Sequence, residues 1–202
     1  LSFVDLVIGL LVALLASIAV IGSRQVGYSV QRVAKSRPTV AIFLAAGVIA
    51  VLSVAVMLLF NQPYDVVPFS GETAMGTLLA ETSVLTVLAI VIAKALAYGV
   101  SLGGGYRGGP IFPATYIGVG VGVLCSLVVS TTPMSALVVA GIAAACAAML
   151  KLPFTSGLLA VVIGAGAGLI VTPLAIIGAI VGVVVRLAYD KATNRTPAAA
   201  AT

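Results

Sequence analysis

The chain of 202 residues is 62% hydrophobic and 7% charged, with a mean hydropathy of +1.30. A soluble domain carries about 25% charged residues, so this composition excludes one and requires an integral membrane protein. Ten Lys and Arg stand against five Asp and Glu, with no His; in such a chain the excess sets topology and does not mark a nucleic-acid partner.

Leu1 opens almost directly into an apolar segment, with no basic leader and no cleavage site. This reads as the interior of a longer gene product. Leu1 to about Lys35 forms one long helix with a basic end: Arg24, Arg32, Lys35 and then Arg37. Pro38 breaks it, and Thr39–Phe60 is long enough to cross a bilayer. The loop 61–72 holds Asp65 and Glu72 and no basic residue. Residues 23–38 are therefore expected inside and 61–72 outside.

Thr73–Glu81 is too short to span and reads as a short helix. Ser83–Leu102 is a third span and contains Lys94. A lysine at mid-membrane either faces a protein interior or wet cavity or snorkels to an interface. Beyond the glycine loop, Pro110, Pro133, Pro153 and Pro173 recur at intervals of 23, 20 and 20 residues. They divide the rest into helices of about 110–130, 133–150, 153–170 and 173–189, with Thr132 and Thr172 as N-caps. Some are short for a full crossing, which suggests tilted or broken helices that end inside the membrane. Gly118/Gly122, Gly164/Gly168 and Gly178/Gly182 are small-xxx-small pairs that allow close packing within or between chains. The tail 190–202 is polar, then alanine-rich, and reads as disordered and inside.

The stretch Gly103–Gly118, GGGYRGGPIFPATYIG, is the local anomaly: five of its first seven residues are glycine. Unpaired backbone groups are costly in hydrocarbon unless they line a cavity or an ion path. Pro110 suits the first position of a helix. Neither it nor Pro113 has an N–H, which leaves Ile111 and Phe112 as free donors, with the Gly109 N–H close by. Glycines before them admit a ligand to the backbone, and the helix dipole favours an anion. Arg107 sits beside this start. The alternative is a hairpin whose glycines only permit a tight turn.

Gly103, Gly105 and Gly108 satisfy G-x-G-x-x-G, but a dinucleotide fingerprint needs a preceding strand in a βαβ unit. No phosphate-binding G-x-x-x-x-G-K-[ST] occurs. Without histidine, and with Cys125 and Cys146 far apart and in apolar runs, neither a metal site nor an enzyme is expected.

The glycine stretch, with the order of segments around it, resembles the second half of the CLC family of chloride channels and chloride/proton antiporters. That family carries G-G-[IV]-F-x-P where a helix points its N-terminus at chloride; the matching stretch here is Gly108-Gly109-Pro110-Ile111-Phe112-Pro113. Ala140-Gly141 onward to Lys151-Leu152-Pro153-Phe154-Thr155 is similar to the family's AG…A…RAPLTG helix pair, and Lys94 falls where the family often has a basic residue. The likeness runs to about residue 189. It departs in placing Pro110 and Ile111 where the family has Ile and Phe. The family's pore tyrosine has no counterpart beyond Tyr189, and the G-S-G-x-P serine and G-[KR]-E-G-P glutamate of the first half are missing.

The resemblance implies one half of an inverted repeat, all-α, with residues 1–189 as membrane domain. It implies a chloride channel or chloride/proton antiporter without cofactor or metal, from a bacterial plasma membrane with the C-terminus cytoplasmic. A homodimer and an N-terminal half of the same pore are its implied partners. The implied anion site is Gly108, Gly109, Ile111, Phe112 and Pro113, with Arg107 and Lys94 adjacent. Two other readings stay open: a different inverted-repeat anion carrier, and a non-conducting membrane subunit that uses its glycine pairs as an interface.

Overall fold

A computed structural model describes residues 2–129 and 131–193. The elements are α1 (Phe3–Ala34), α2 (Pro38–Phe60), α3 (Met75–Ala80), α4 (Val84–Gly104), α5 (Ile111–Val128), α6 (Met134–Leu150), α7 (Pro153–Ile163) and α8 (Thr172–Ala192), with no strand among the described residues. Three-residue 3₁₀ turns lie at Tyr64–Val66, Ala165–Ala167 and Leu169–Val171. Helices α1, α2, α4, α5 and α8 are long and apolar enough to cross a membrane; α6 and α7 are shorter. This is an all-α, multi-pass membrane protein.

Helix ends follow local chemistry. Ser2 and Asp5 close a capping box on α1, with the Asp5 N–H 3.2 Å from Ser2 Oγ and the Ser2 N–H 2.6 Å from Asp5 Oδ2. Ser83 Oγ accepts from the Thr86 N–H and starts α4. Gly105, at φ +93, stops it in the left-handed region that glycine enters without strain.

The core is α6, buried without a break from Ala136 to Ala148. Its alanines and Gly141 let neighbours approach backbone to backbone. A Cβ at Gly118 or Gly141 would collide with the other's carbonyl, and one at Gly122 would stand 2.6 Å from Val138 Cα. On the next face, Gly178 and Gly182 of α8 meet the Ala140 and Ala144 carbonyls. A second seam joins α1 and α4, where Gly99 and Gly103 lie against the Ser23 and Gly27 carbonyls. Such contacts let dispersion act where lipid removes the hydrophobic drive.

These seams also give direction. Thr132 Oγ1 donates to Asp5 Oδ1 at 2.6 Å, and Arg24 Nη1 to the Met149 carbonyl at 3.4 Å, so α1 and α6 run parallel. Residues Arg24, Lys151, Arg186 and Asp190 gather at one end. There Asp190 pairs with Lys151 at 2.5 Å and Arg186 at 2.9 Å, while Arg186 also holds the Ala148 carbonyl at 2.9 Å. The other end carries the Asp5–Thr132 and Gln62–Glu81 contacts.

Several expectations are corrected. The helix expected over 153–170 ends at Ile163, because glycines at 164, 166 and 168 interrupt it and Gly168 takes φ +77. Gly164 and Gly168 therefore do not share a helix face. The other two pairs are spent inside the chain, on α6. Pro110 stands one position earlier than expected, at the cap, with Ile111 the first helical residue. Pro133 and Val171 occupy the cap positions expected for Thr132 and Thr172. α8 runs through Ala192, so the expected boundary at 189 falls within a helix whose Asp190 is buried; the remainder of the expected tail, 194–202, lies outside the described residues.

Candidate functional site

Two observations place the start of α5 inside the bundle. Cys146 Sγ lies 4.0 Å from the Ile111 carbonyl and 3.3 Å from Thr115 Oγ1, about one turn before α6 ends at Leu150. Meanwhile α4 continues to Gly104, and Gly103 is level with Gly27–Gln31 of α1. The loop from Gly105 to Pro110 therefore doubles back along the bundle, with Gly105–Gly109 exposed.

At the helix start the first intrahelical bond is from the Ala114 N–H to the Pro110 carbonyl, at 3.3 Å. Pro113 has no N–H. The Ile111 and Phe112 donors have no acceptor among the described residues, and no side chain caps the helix. Glycine at 108 and 109 has no explanation within the chain: neither has positive φ, and a Cβ at either would meet nothing within 4 Å. The tight-turn reading accounts for Gly105 alone. Something outside the described chain must approach Gly108 and Gly109, or nothing requires them to be glycine.

A cavity of about 710 Å³ lies beside this start. Its walls are α2 (Ala46, Ala50, Ser53), α4 (Lys94, Tyr98, Ser101), the segment Val67–Ser70, the glycine loop and Pro113. Of the residues singled out from sequence, Lys94, Arg107, Gly108, Gly109 and Pro113 line it together, while Ile111 and Phe112 do not. Arg107 is exposed and has no partner among the described residues.

Lys94 faces the interior, 1% exposed, which resolves the two readings of it. Its ammonium donates to the Pro68 carbonyl at 2.9 Å and the Phe69 carbonyl at 3.2 Å, and stands 4.7 Å from the Tyr116 ring centre. The ion pairs among the described residues are Lys151–Asp190 and Arg186–Asp190; Lys94 has no such partner.

Sequence reasoning missed the segment that receives Lys94. The loop 61–72 looked external, yet Val66 and Val67 are fully buried. Gly71, at φ +86, lies on Tyr116: a Cβ there would stand 2.6 Å from the ring and 3.1 Å from Lys94 Nζ. Ser53 Oγ donates to the Tyr64 carbonyl and ties the segment to α2. The pair Val66-Val67 is apolar, but nothing in the loop's sequence marks it as buried. The buried hydroxyls of Tyr98 and Tyr116, both without a partner among the described residues, carried no signal in the sequence.

Comparison with known families adds one finding. A family model described as voltage gated chloride channel matches residues 3–186. No curated protein and no solved structure matches the chain.

Proposed function

Because the chain belongs to the voltage gated chloride channel family, we propose that it forms part of a chloride-conducting pathway centred on the start of α5. The backbone N–H groups of Ile111 and Phe112 replace part of the ion's hydration shell, and the positive end of the helix dipole adds to the attraction. Gly108 and Gly109 leave the approach open, and Pro113 fixes the first turn. Lys94 and Arg107 raise the local potential from the cavity side. The observation that carries this reading is the pairing of two free donors with two glycines that nothing in the chain requires.

The glycine pairs no longer favour a non-conducting subunit, since Gly118/Gly122 and Gly178/Gly182 are occupied by α6. The exposed side chains of Ile111 and Phe112 support completion of the pore by further protein. By the family resemblance this is a segment with the serine and glutamate motifs, within a homodimer. The cluster of basic groups around Asp190 is consistent with a cytoplasmic C-terminus, in a bacterial plasma membrane.

Chloride efflux from proteoliposomes of the native, intact protein tests the site. Gly109→Val and Phe112→Ala should each change rate or halide selectivity; unchanged flux in both sinks the assignment. Repeating the assay under an imposed proton gradient separates passive passage from exchange. The intact mass of the native product shows whether both halves share one polypeptide.

A further inference from the structure

The basic end of the bundle holds a smaller cavity of about 200 Å³, none of whose residues belongs to α5 or the glycine loop. Arg24, Gly27, Tyr28 and Gln31 line it from α1, Leu102 from α4 and Met149 from α6. The four α1 residues recur at helical spacing and form one stripe. Gly27 is buried against the Gly99 carbonyl and Leu102, so the floor is apolar and the rim polar. Arg24 Nη2 donates to the Tyr28 hydroxyl at 2.9 Å, and Nη1 to the Met149 carbonyl at 3.4 Å, beside Met149 Sδ at 3.9 Å. Its Nε has no partner among the described residues, and neither ion pair there includes it.

The chain supplies no counter-charge at this end. Asp5 and Glu81 lie at the far end, Asp65 and Glu72 in the loop 61–72, and Asp190 is taken by Lys151 and Arg186. Exposed Arg32, Lys35 and Arg37 continue the positive charge beyond Arg24. Arg24 itself follows directly on the apolar run Leu6–Gly22 and Ser23, the depth at which hydrocarbon gives way to headgroups. A half-buried guanidinium there, with an open donor and an apolar floor beside it, matches a phosphodiester with its glycerol and first acyl carbons on Leu102 and Met149. A cavity this small leaves no room for a helix of another protein. We propose that it is a phosphate site for an anionic phospholipid of the adjoining leaflet, with Arg24 as the cation and Tyr28 and Gln31 at the rim. Arg24 then bridges the phosphate and the Met149 carbonyl, so an occupied site fastens α1 to the end of α6. A zwitterionic headgroup would set its ammonium among Arg32 and Lys35, so phosphatidylglycerol is preferred over phosphatidylcholine.

Native mass spectrometry of the native, intact protein, titrated in detergent with palmitoyl-oleoyl phosphatidylglycerol, reads the site directly. One lipid should be held more tightly than the rest, and phosphatidylcholine should bind more weakly. In Arg24→Gln the affinity for that lipid should fall about thirtyfold, the loss of charge-assisted hydrogen bonds. Met149→Trp, which fills the floor and alters no charge, should lower it as well. Arg37→Gln, which removes an exposed charge outside the cavity, should cost about fivefold or less. Thermal unfolding over the same titration separates a ligand site from a contact of the fold. Phosphatidylglycerol should raise the melting temperature of the unsubstituted protein and of Arg37→Gln, and leave that of Arg24→Gln unmoved. Equal losses of affinity in Arg24→Gln and Arg37→Gln overturn the site in favour of diffuse surface charge. Inorganic phosphate that displaces the lipid and raises the melting temperature equally overturns the lipid as its occupant and leaves a free-phosphate site. No tightly held lipid, with Arg24→Gln destabilised in every lipid, overturns it in favour of a carboxylate from another part of the protein.

Discussion

The two sides of α4 are built on opposite rules. Toward α1 it closes on Gly99 and Gly103, and beyond α1 the helices α5, α6 and α8 close on one another through Gly118, Gly141, Gly178 and Gly182. Toward α2 it closes only at its end, where Gly104 lies against Ala45, and elsewhere the space between them is the cavity. Helix α2 buries only Ala41, Ala45, Ser53 and Val56, whereas α6 is buried over thirteen consecutive positions from Ala136 to Ala148. Both regions are rich in small apolar residues. The difference lies in what faces them. In the packed region a small residue meets another backbone; on the cavity side Gly108 and Gly109 meet open space. Glycine content therefore does not report packing until its neighbours are known.

The strongest way to break this comparison is to fill the packed seam. Gly141→Leu should cost more than about 4 kcal/mol, since its side chain would have to occupy the Gly118 backbone. The expected outcome is loss of a monodisperse species in detergent. Next is Asp190→Asn, which leaves Lys151 and Arg186 as facing cations at the end of α6. A loss of about 2–4 kcal/mol is expected in equilibrium unfolding, and a smaller loss in Lys151→Met, which leaves the Arg186 pair in place. On the open side the outcome inverts. Gly109→Val should leave stability within about 0.5 kcal/mol while slowing chloride efflux at least about tenfold, the effect of a barrier raised by ~1.4 kcal/mol. The smallest effect is expected at Gly47, exposed in the middle of α2 with nothing near its missing Cβ. Gly47→Ala should stabilise by about 0.5–1 kcal/mol, seen as a modest rise in melting temperature. Destabilisation there would show that α2 packs against something more than lipid.

Much of this arrangement was legible in the chain. Prolines and apolar runs marked the helices to within a few residues, because Pro38, Pro153 and Pro173 sit where a missing N–H is harmless. Ile111 and Phe112 emerged as free donors from the positions of Pro110 and Pro113 alone. The 3₁₀ turns after Ile163 did not emerge, since a run of alternating Gly and Ala permits a helix as readily as a break. The burial of Val66 and Val67 was likewise hidden. A loop reads as external by its charges, and nothing local discloses that a lysine 26 residues later, Lys94, will hold the Pro68 carbonyl. Which glycines met a neighbour was also beyond reach, because that depends on helices far apart in sequence.

The bond between Thr132 and Asp5 bridges 127 residues, and it bears on how the protein is made. As the chain leaves the ribosome, α1 enters the bilayer first among the described helices, yet the groups it finally packs against, on α4, α6 and α8, do not yet exist. It must wait in lipid without those partners. Its own Ser2–Asp5 box seals its leading end in the meantime, so that the carboxylate Thr132 will later find is already held in place. Docking of α1 on α6 is then a late event, gated by translation of the α5–α6 hairpin. A ribosome stalled before Thr132 should carry a first helix docked on α4 through Gly99 and Gly103 but not yet on α6.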